Sequence, residues 1–269
     1  MHRFKGYIKE MAANLPVSKL DNDFIARATK VRSFNIKGAD LSSLKNKAEI
    51  QFLYATYQFD GFDLEQTVKG MNVGKVNKLI DKLKSVDRNN FDALYDFQPK
   101  GVGPGEALLY FLIDDAVLGG GTSAGVDVKI GGSNFEVKGA NLARDKKSVY
   151  GFKLGGTVDV SDMVNRAVKM KEMMGLTTAG KGKNEVNPTQ IKAIRKKFPK
   201  EWSDIEKEYA TKAHKYFGNT PVIFFNNNRG TGGKLTSAAG NVIIVKKVTK
   251  NDIQIDAITQ GTIKPRVKI

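Results

Sequence analysis

Two segments of alternating residue character, separated by a glycine-rich turn, constrain the fold of this chain more than any other feature. Residues 125–130 and residues 135–138 flank the sequence Gly131-Gly132-Ser133-Asn134. Because successive residues of a strand point to opposite faces, Glu136 and Lys138 share one face of the second segment. The pattern predicts a β-hairpin with one apolar face and one charged face.

The register of this hairpin decides which charged side chains meet. We expect the turn to be centred on Gly132-Ser133, which places Asp127 opposite Lys138. Asp127, Glu136 and Lys138 would then lie together on one side of the hairpin. Two carboxylates and an ammonium on a rigid ribbon can bind a hard cation and a phosphate together.

The elements around the hairpin indicate the fold class. A buried helix is expected before it and a third strand, several helices and a further apolar strand after it, with a hairpin at the end of the chain. This order predicts an α/β fold in which a mixed central β-sheet is flanked by helices. The expected helices cover residues 106–117, 161–174, 188–197 and 199–217, and the expected strands cover residues 149–154, 221–225, 241–248 and 253–259.

A Gly- and Pro-rich segment, residues 98–105, predicts a boundary between two parts of the chain. Residues 1–100 are expected to form a mainly helical N-terminal arm or subdomain that helps to hold nucleic acid. Residues 101–269 are expected to form the core, including the C-terminal β-hairpin.

The formal net charge of +16 is the strongest global feature. Such an excess favours polyanionic partners, through phosphate contacts and the release of counterions. Lysine and arginine are spread along the chain, so a nucleic acid would meet a folded surface. Charge alone does not separate a nuclease from a DNA-coating protein, a ribosome-associated protein or a virion component, and it leaves a role in solubility open.

Composition also excludes several classes of protein. The chain has no cysteine, which excludes disulfides, thiolate catalysis and cysteine-zinc sites. No apolar run is long enough to cross a bilayer, and no apolar secretory core follows the first residues. We therefore expect a cytoplasmic protein with no membrane partner, located in the host cytoplasm if a phage encodes it.

The spacing of the acids carries a resemblance to a known family. Asp127, eight further residues and then Glu136-Val137-Lys138, preceded by Glu106 on a helix, resembles the signature of the PD-(D/E)XK nuclease superfamily. The resemblance implies a restriction-endonuclease-like core. It also implies a Mg²⁺-dependent nuclease, with Mn²⁺ able to substitute, that hydrolyses DNA phosphodiester bonds, as an endonuclease that forms a homodimer to cut both strands.

The same resemblance implies a role for each residue of the signature. Asp127 and Glu136 would ligate Mg²⁺ together with the backbone carbonyl of Val137. Lys138 would orient the attacking water and offset charge on the scissile phosphate. Glu106 would bind the metal directly or through water, although an acid at the start of a helix also complements the helix dipole.

Two alternatives stay open at this stage. The hairpin could be an exposed ribbon with cross-strand ion pairs, Lys129 with Glu136 and Asp127 with Lys138. The protein could also be a non-catalytic nucleic-acid-binding or virion-associated protein on the same scaffold. Retention of all four charged groups of the signature favours the nuclease.

Further basic and aromatic side chains are candidates for contact with nucleic acid. Lys212, His214 and Lys215 could add polar groups near the site, and Trp202 and Tyr209 could stack on bases, although a solvated helix face and core packing are the simpler roles. The candidate phosphate-binding residues are Arg144, Lys146, Lys147, Lys153, Lys192, Arg195, Lys196, Lys197 and Arg229.

Overall fold

The computed structural model describes residues 68–86, 88–95, 103–113, 115–118, 126–154, 158–176, 182–230, 233 and 235–269. Within these residues the fold is mixed α/β, with one open antiparallel sheet of eight strands, so the prediction of an α/β fold is confirmed and that of a mixed sheet is not. In the described part of the chain, no helix combines the length and apolar character that crossing a bilayer requires. The expected helices before residue 68 lie outside the described residues.

The chain divides into two compact units, and the division falls within two of the strands. The first unit comprises residues 1–137 and 240–243, and the second comprises residues 138–239 and 244–269. The first unit contains α1 (Val73–Val86), α2 (Arg88–Tyr95), α3 (Pro104–Leu112), β1 (Ala116–Leu118), β2 (Val128–Ile130) and the first part of β3 (Ser133–Leu142).

The core of the first unit lies where α1, α2, α3 and the hairpin meet. Val76, Ile80 and Phe91 are completely buried, as is Leu109 of α3. Gly240 packs closely on this core, because a Cβ atom added there would lie 2.6 Å from Cζ of Phe91. Burial of these apolar side chains supplies the main favourable free energy for the unit.

The helix before the hairpin is shorter than the sequence predicts. We expected it to reach residue 117, but α3 ends at Leu112 and Ile113 has extended dihedral angles. The chain then forms β1, in which Ala116 pairs with Ile130 of β2. The helix ends because the backbone is used elsewhere: the carbonyl of Leu112 accepts from Val68 N–H, and Val68 forms a parallel bridge with Ile113.

The second unit continues β3 and adds helices and strands around a second core. Its buried side chains include Trp202, Tyr209, Phe224 and Ile258. The elements after β3 are β4 (Ser148–Tyr150), α4 (Ser161–Met173), α5 (Pro188–Lys197), α6 (Pro199–Phe217), β5 (Val222–Asn226), β6 (Val242–Val245), a 3-10 turn (Lys250–Asp252), β7 (Ile253–Thr259) and β8 (Thr262–Lys268). Helices α5 and α6 pack against β7, and α4 packs against β8.

The main path of the sheet has the strand order β1-β2-β3-β4-β8-β7, and β5 lies off this path, paired with β3 and β6. The pairs β1–β2, β2–β3, β3–β4, β4–β8 and β7–β8 are antiparallel. The expected strand over residues 149–154 stops at Tyr150, because Gly151 has a positive φ of 81°. A residue in this conformation does not continue a strand.

The C-terminal hairpin is built from other strands than those predicted. We expected residues 241–248 to pair with residues 253–259, but β6 pairs with β5 and the hairpin is formed by β7 and β8. Its turn is Gln260-Gly261, where φ is 52° and 69°. Two consecutive positive φ values suit the tight turns that join adjacent antiparallel strands.

Candidate functional site

The turn of the central hairpin is centred on Gly131-Gly132, one residue earlier than predicted. Ile130 pairs with Ser133, and Val128 pairs with Phe135. Both glycines have positive φ, 57° and 81°, which matches the two central positions of a type I′ turn. Serine at the second centre would be strained there, which is why the expected centre at Gly132-Ser133 is wrong.

The corrected register differs by two residues from the expected one and preserves the faces of the strands. A shift of one residue would move every side chain to the opposite face, whereas a shift of two does not. Lys129 lies opposite Asn134. Glu136 is therefore not the residue directly opposite Lys129, as the ion pair of the exposed-ribbon alternative required.

The Asp127 side chain accepts a backbone hydrogen bond at the end of the ladder between β2 and β3, where a backbone carbonyl would otherwise accept it. The N–H of Asp127 donates to the carbonyl of Phe135 at 3.0 Å. The next N–H available on that side of β3 belongs to Val137, and it donates to Oδ2 of Asp127 at 2.7 Å. A carboxylate oxygen thus replaces the backbone acceptor of a further strand residue, and it fixes the position of Asp127 beside the Glu136-Val137 peptide.

Glu136 lies in β3 and only 4% of its surface is exposed. A buried carboxylate costs free energy unless hydrogen bonds or positive charges compensate it, so this is an unusual residue to place inside a sheet. Its neighbours Phe135 and Val137 are also buried, and they occupy the predicted apolar face together with Val128 and Ile130. The burial of Glu136 contradicts an exposed ribbon.

The carbonyl of Val137 is directed to the same side of β3 as its N–H. In an antiparallel strand the N–H and C=O of one residue both point toward the same neighbouring strand. Because the N–H of Val137 donates to Asp127, the carbonyl oxygen of Val137 also points to the side on which Asp127 lies. The first unit therefore brings the two predicted acids and the predicted backbone ligand to one end of the hairpin.

Lys138 is the first residue of the second unit and is partly exposed. Its Nζ lies 5.7 Å from the centroid of the Tyr216 ring, within the range of a cation–π interaction. It lies two positions after Glu136 in β3, so strand alternation predicts the same side-chain direction for both residues. The ring of Tyr216 restricts the positions that the ammonium can take.

Glu106 is placed at the start of its own helix. It lies in the first turn of α3, and a Cβ atom added to Gly103 would lie 2.7 Å from its Oε1. The carboxylate therefore folds back toward the N-terminus of α3, where a negative charge complements the helix dipole. This is the simpler of the two roles expected for Glu106, and its role as a metal ligand stays a prediction.

The oxygen ligands that the sequence predicts are few in number. Among the described residues, no group of three or more His, Asp or Glu side chains is arranged to hold a metal ion. Asp127, Glu136 and the Val137 carbonyl supply two carboxylates and one neutral oxygen. This donor set fits Mg²⁺, which keeps several waters and is commonly held by one or two carboxylates together with substrate phosphates.

The predicted phosphate-binding residues differ in how the structure uses them. Arg195 is engaged inside the fold, because its Nη2 lies 2.5 Å from Oε1 of Glu206 and 3.3 Å from the carbonyl of Ile255. Arg229 is exposed and donates from Nη1 to the carbonyl of Gly233. The remaining members are all exposed: Arg144, Lys146, Lys147, Lys153, Lys192, Lys196 and Lys197.

The secondary candidates mostly serve the packing of α6. Lys212 donates to the carbonyl of Asp159 at 2.9 Å, and Nδ1 of His214 lies 2.9 Å from the carbonyl of Val248. Trp202 and Tyr209 are each 1% exposed, so the proposal that they stack on bases is wrong and their expected packing role is confirmed. Burial raises the pKa of the Tyr209 hydroxyl above its ordinary value, which keeps it neutral.

Sequence reasoning missed one group of basic residues, Lys264, Arg266 and Lys268 on β8. The alternation of basic and apolar residues from Thr262 to Lys268 was a signal for a strand with one basic face. It was overlooked because the closing hairpin was expected to end at residue 259.

Comparison with known proteins adds no further assignment, since no family model, curated protein or solved structure matches the chain.

Proposed function

We propose that this protein is a Mg²⁺-dependent nuclease that hydrolyses phosphodiester bonds of DNA. The observation that carries the proposal is the 2.7 Å hydrogen bond from Val137 N–H to Oδ2 of Asp127. It brings Asp127 to the peptide that joins Glu136 to Val137, so the residues expected to supply the two carboxylates and the backbone oxygen are neighbours at one end of the hairpin. The residue order of this site is that of the PD-(D/E)XK signature.

The order of elements also supports a restriction-endonuclease-like core. The antiparallel strands β1, β2 and β3 follow helix α3 in sequence, and β5 pairs with β3 after helix α6. Within the residues that the structure describes, four strands and three helices separate α3 from β5, and α3, β1, β2, β3, α6 and β5 are the elements that would correspond to the helix, three strands, helix and strand expected of such a core. The high positive charge of the chain supports a polyanionic substrate.

In the proposed reaction each residue of the site has a separate role. Asp127, Glu136 and the Val137 carbonyl provide the oxygen ligands for Mg²⁺, which when bound supplies Lewis acidity and an activated water. Lys138 holds a positive charge two residues from Glu136, where its ammonium can orient the water and offset charge on the phosphate. The cation–π contact with Tyr216 limits the freedom of that ammonium.

A second function has two observations in its favour. Glu106 lies against Gly103, and no group of three or more His, Asp or Glu side chains in the described residues is placed to hold a metal ion, so the site could also be a scaffold that binds nucleic acid without cleaving it. In that case the two acids would serve only the fold, and DNA binding would not require a divalent ion.

Nicking of supercoiled plasmid in Mg²⁺, in Mn²⁺ and in EDTA separates the two functions. We expect cleavage that needs a divalent ion and that falls by at least about 100-fold in Glu136→Gln and in Lys138→Met, because both remove a charge that acts in the transition state. DNA binding in EDTA and the thermal unfolding temperature are measured on the same samples, so that loss of activity is not confused with loss of fold.

Helix α4 offers matched controls for both substitutions. Glu172 and Lys169 are exposed there, so Glu172→Gln and Lys169→Met make the same chemical changes away from the site. We expect both controls to cleave at the wild-type rate. Binding by the wild type without cleavage in either ion, or wild-type cleavage by Glu136→Gln, would overturn the nuclease proposal.

A further inference from the structure

The outer face of β8 in the second unit carries a row of basic side chains. The buried residues of this strand are Ile263, Pro265 and Val267, and the residues between them are partly or fully exposed. Alternation therefore places Lys264, Arg266 and Lys268 on one face. With a rise of about 3.3 Å per residue, the Cα atoms of successive members of this row lie about 7 Å apart.

The strands that flank β8 contribute one acid, Asp256 of β7, and it is ion-paired with Arg266. Residues directly opposite each other in an antiparallel pair share a face. Arg266 lies opposite Tyr150 of β4 and Gln254 of β7, and Lys264 lies opposite Ala257. The helices α4, α5 and α6 pack on β7 and β8, whose buried residues belong to the other face.

Arg266 is held rigidly at the centre of the face. Its guanidinium lies 4.6 Å from the centroid of the Tyr150 ring and donates to Oγ of Ser148 at 3.0 Å. Nε and Nη2 donate to Oδ1 of Asp256, the residue at the irregularity in β7. The result is a planar cation stacked on an aromatic ring, with its orientation fixed by two partners.

The lysines on either side of Arg266 have no acid to compensate them. Within the described residues, no carboxylate is paired with Lys153, Lys264 or Lys268. The pKa of Lys264 is lowered, first by burial and second by the positive charge of Lys153. Two ammonium groups that repel each other in the folded protein gain free energy when an anion lies between them.

We propose that the face of β4, β7 and β8 that carries Tyr150, Lys264, Arg266 and Lys268, with the exposed Lys153 that follows β4, binds single-stranded nucleic acid. The nucleic acid runs along β8, with one backbone phosphate near Lys264 and Lys153 and the next toward Lys268. The fixed plane of Arg266 on Tyr150 offers a platform for a base, as guanidinium and aromatic groups do in single-strand-binding proteins. Charge complementarity selects a nucleic acid as the occupant, and the stacking platform favours a single strand, whose unpaired bases can stack on it.

The proposal rests on the proposed function only for the class of ligand, because binding on this face requires neither a metal nor cleavage. It is tested with the full chain in EDTA, by fluorescence anisotropy of a labelled single-stranded oligonucleotide and of the matching duplex. The test variant is Lys153→Ala/Lys264→Ala. The matched control is Lys200→Ala/Lys207→Ala, which removes the same charge from exposed positions on α6.

We expect the double variant to bind the single strand about tenfold more weakly at moderate salt. The slope of log Kd against log salt concentration should fall by about one unit, since each phosphate contact on a single strand contributes about 0.7. The control should bind within about twofold of the wild type. Lys153→Arg/Lys264→Arg keeps both charges and should bind like the wild type, which separates charge from a change in fold.

Three results would overturn the proposal: a loss no larger than that of the control, a loss confined to the duplex, or a loss confined to vesicles of phosphatidylserine and phosphatidylcholine. The cleavage proposal can fail independently. If the wild type does not cleave and the double variant selectively loses single-strand binding, the nuclease proposal is wrong and the binding surface is supported. If cleavage depends on Glu136 and the double variant binds like the wild type, the nuclease proposal is supported and the binding surface is wrong.

Discussion

Val137 donates its backbone N–H to Oδ2 of Asp127 at 2.7 Å, across the hairpin and ten residues of sequence. Val137 is 6% exposed, so its N–H has no ready access to water as an alternative acceptor. The Asp127 carboxylate therefore has a structural task, closing the end of the β2–β3 ladder, in addition to its proposed task as a metal ligand. Substitutions at this position can separate the two.

We expect Asp127→Asn to fold normally and to lose cleavage, because an amide oxygen still accepts from Val137 but carries no charge for a metal ion. Asp127→Ala should lose cleavage and also lower the free energy of unfolding by about 1–3 kcal/mol, since the buried N–H is left without an acceptor. Urea unfolding followed by circular dichroism measures the second effect, and plasmid nicking the first. Equal stability of the two variants would show that the hydrogen bond does not stabilise the hairpin.

The turn of the hairpin gives a prediction about backbone strain. Gly132 has a φ of 81°, and a Cβ atom added there would meet nothing within 4 Å. Gly132→Ala should therefore lower the free energy of unfolding by about 1 kcal/mol, from the left-handed backbone alone. Gly139, in the strand β3 that follows this turn, also has open space around it but does not have a positive φ. Gly139→Ala is therefore the matched control and should be neutral or slightly stabilising. Urea unfolding measures the free energy of unfolding of both variants, and an equal change in the two would contradict a strained turn.

Local signals in the sequence were sufficient for the long helices. Asn187 and Gln190 form a capping box at the start of α5, and proline occupies the first turn of both α5 and α6. The apolar stripe of α6, which includes Trp202 and Tyr209, is buried as its period predicts. These features depend on residues within one or two helical turns of each other, so they can be predicted from a single sequence.

Strand partners depend on distant residues and were harder to predict. Nothing near β6 specifies that Val242–Val245 pairs with β5 rather than with the strand that follows it in sequence. The Gln260-Gly261 turn carried a signal, since a glycine in a short polar step between apolar alternations is typical of a hairpin. It lay beyond the segment in which the hairpin was expected.

The register of the hairpin was not predictable from alternation. Alternation assigns Asp127, Glu136 and Lys138 to one face, and a register error of two residues does not change the face that it assigns to each. The position of Glu106 could not be obtained in this way. Whether an acid at a helix start turns toward a site or toward its own helix depends on rotamers and packing, which the spacing of residues does not encode.

The buried Lys171 in the second unit tests whether its hydrogen bonds to the backbone of residues 182–185 stabilise the fold. It is 1% exposed, and its Nζ donates to the carbonyls of Gly182, Lys183 and Glu185 at 3.3, 2.7 and 2.9 Å. Lys171→Met keeps most of the side-chain volume but leaves these carbonyls without a charged donor. We expect the free energy of unfolding to fall by about 2–4 kcal/mol.

The control for this substitution lies on the same helix. Lys169 is exposed on α4, and Lys169→Met should change the free energy of unfolding by less than about 0.5 kcal/mol. Chemical denaturation of both variants measures the difference. If Lys171→Met were as stable as Lys169→Met, the three carbonyl contacts would not contribute to the stability of the unit.

The repulsion between Lys153 and Lys264 can be measured without any ligand. The pKa of Lys264 lies below the ordinary lysine value of 10.5, mainly because of burial and further because of the charge on Lys153. A lysine whose pKa is lowered on folding binds its proton less well in the folded state, so the stability it contributes rises with pH toward and through 10.5. Removing the charge of Lys153 should weaken this dependence.

We therefore expect Lys153→Ala to raise the pKa of Lys264 toward 10.5 without restoring it fully, because the burial remains. Titration of ¹³C-methylated lysines by NMR measures this pKa directly. Lys268→Ala removes a charge from the same face and is the control, since Lys268 is not among the groups that lower the pKa of Lys264. An unchanged pKa in Lys153→Ala, or an equal rise in both variants, would mean that the two ammonium groups do not face a common position, and a phosphate would then have no reason to bind between them.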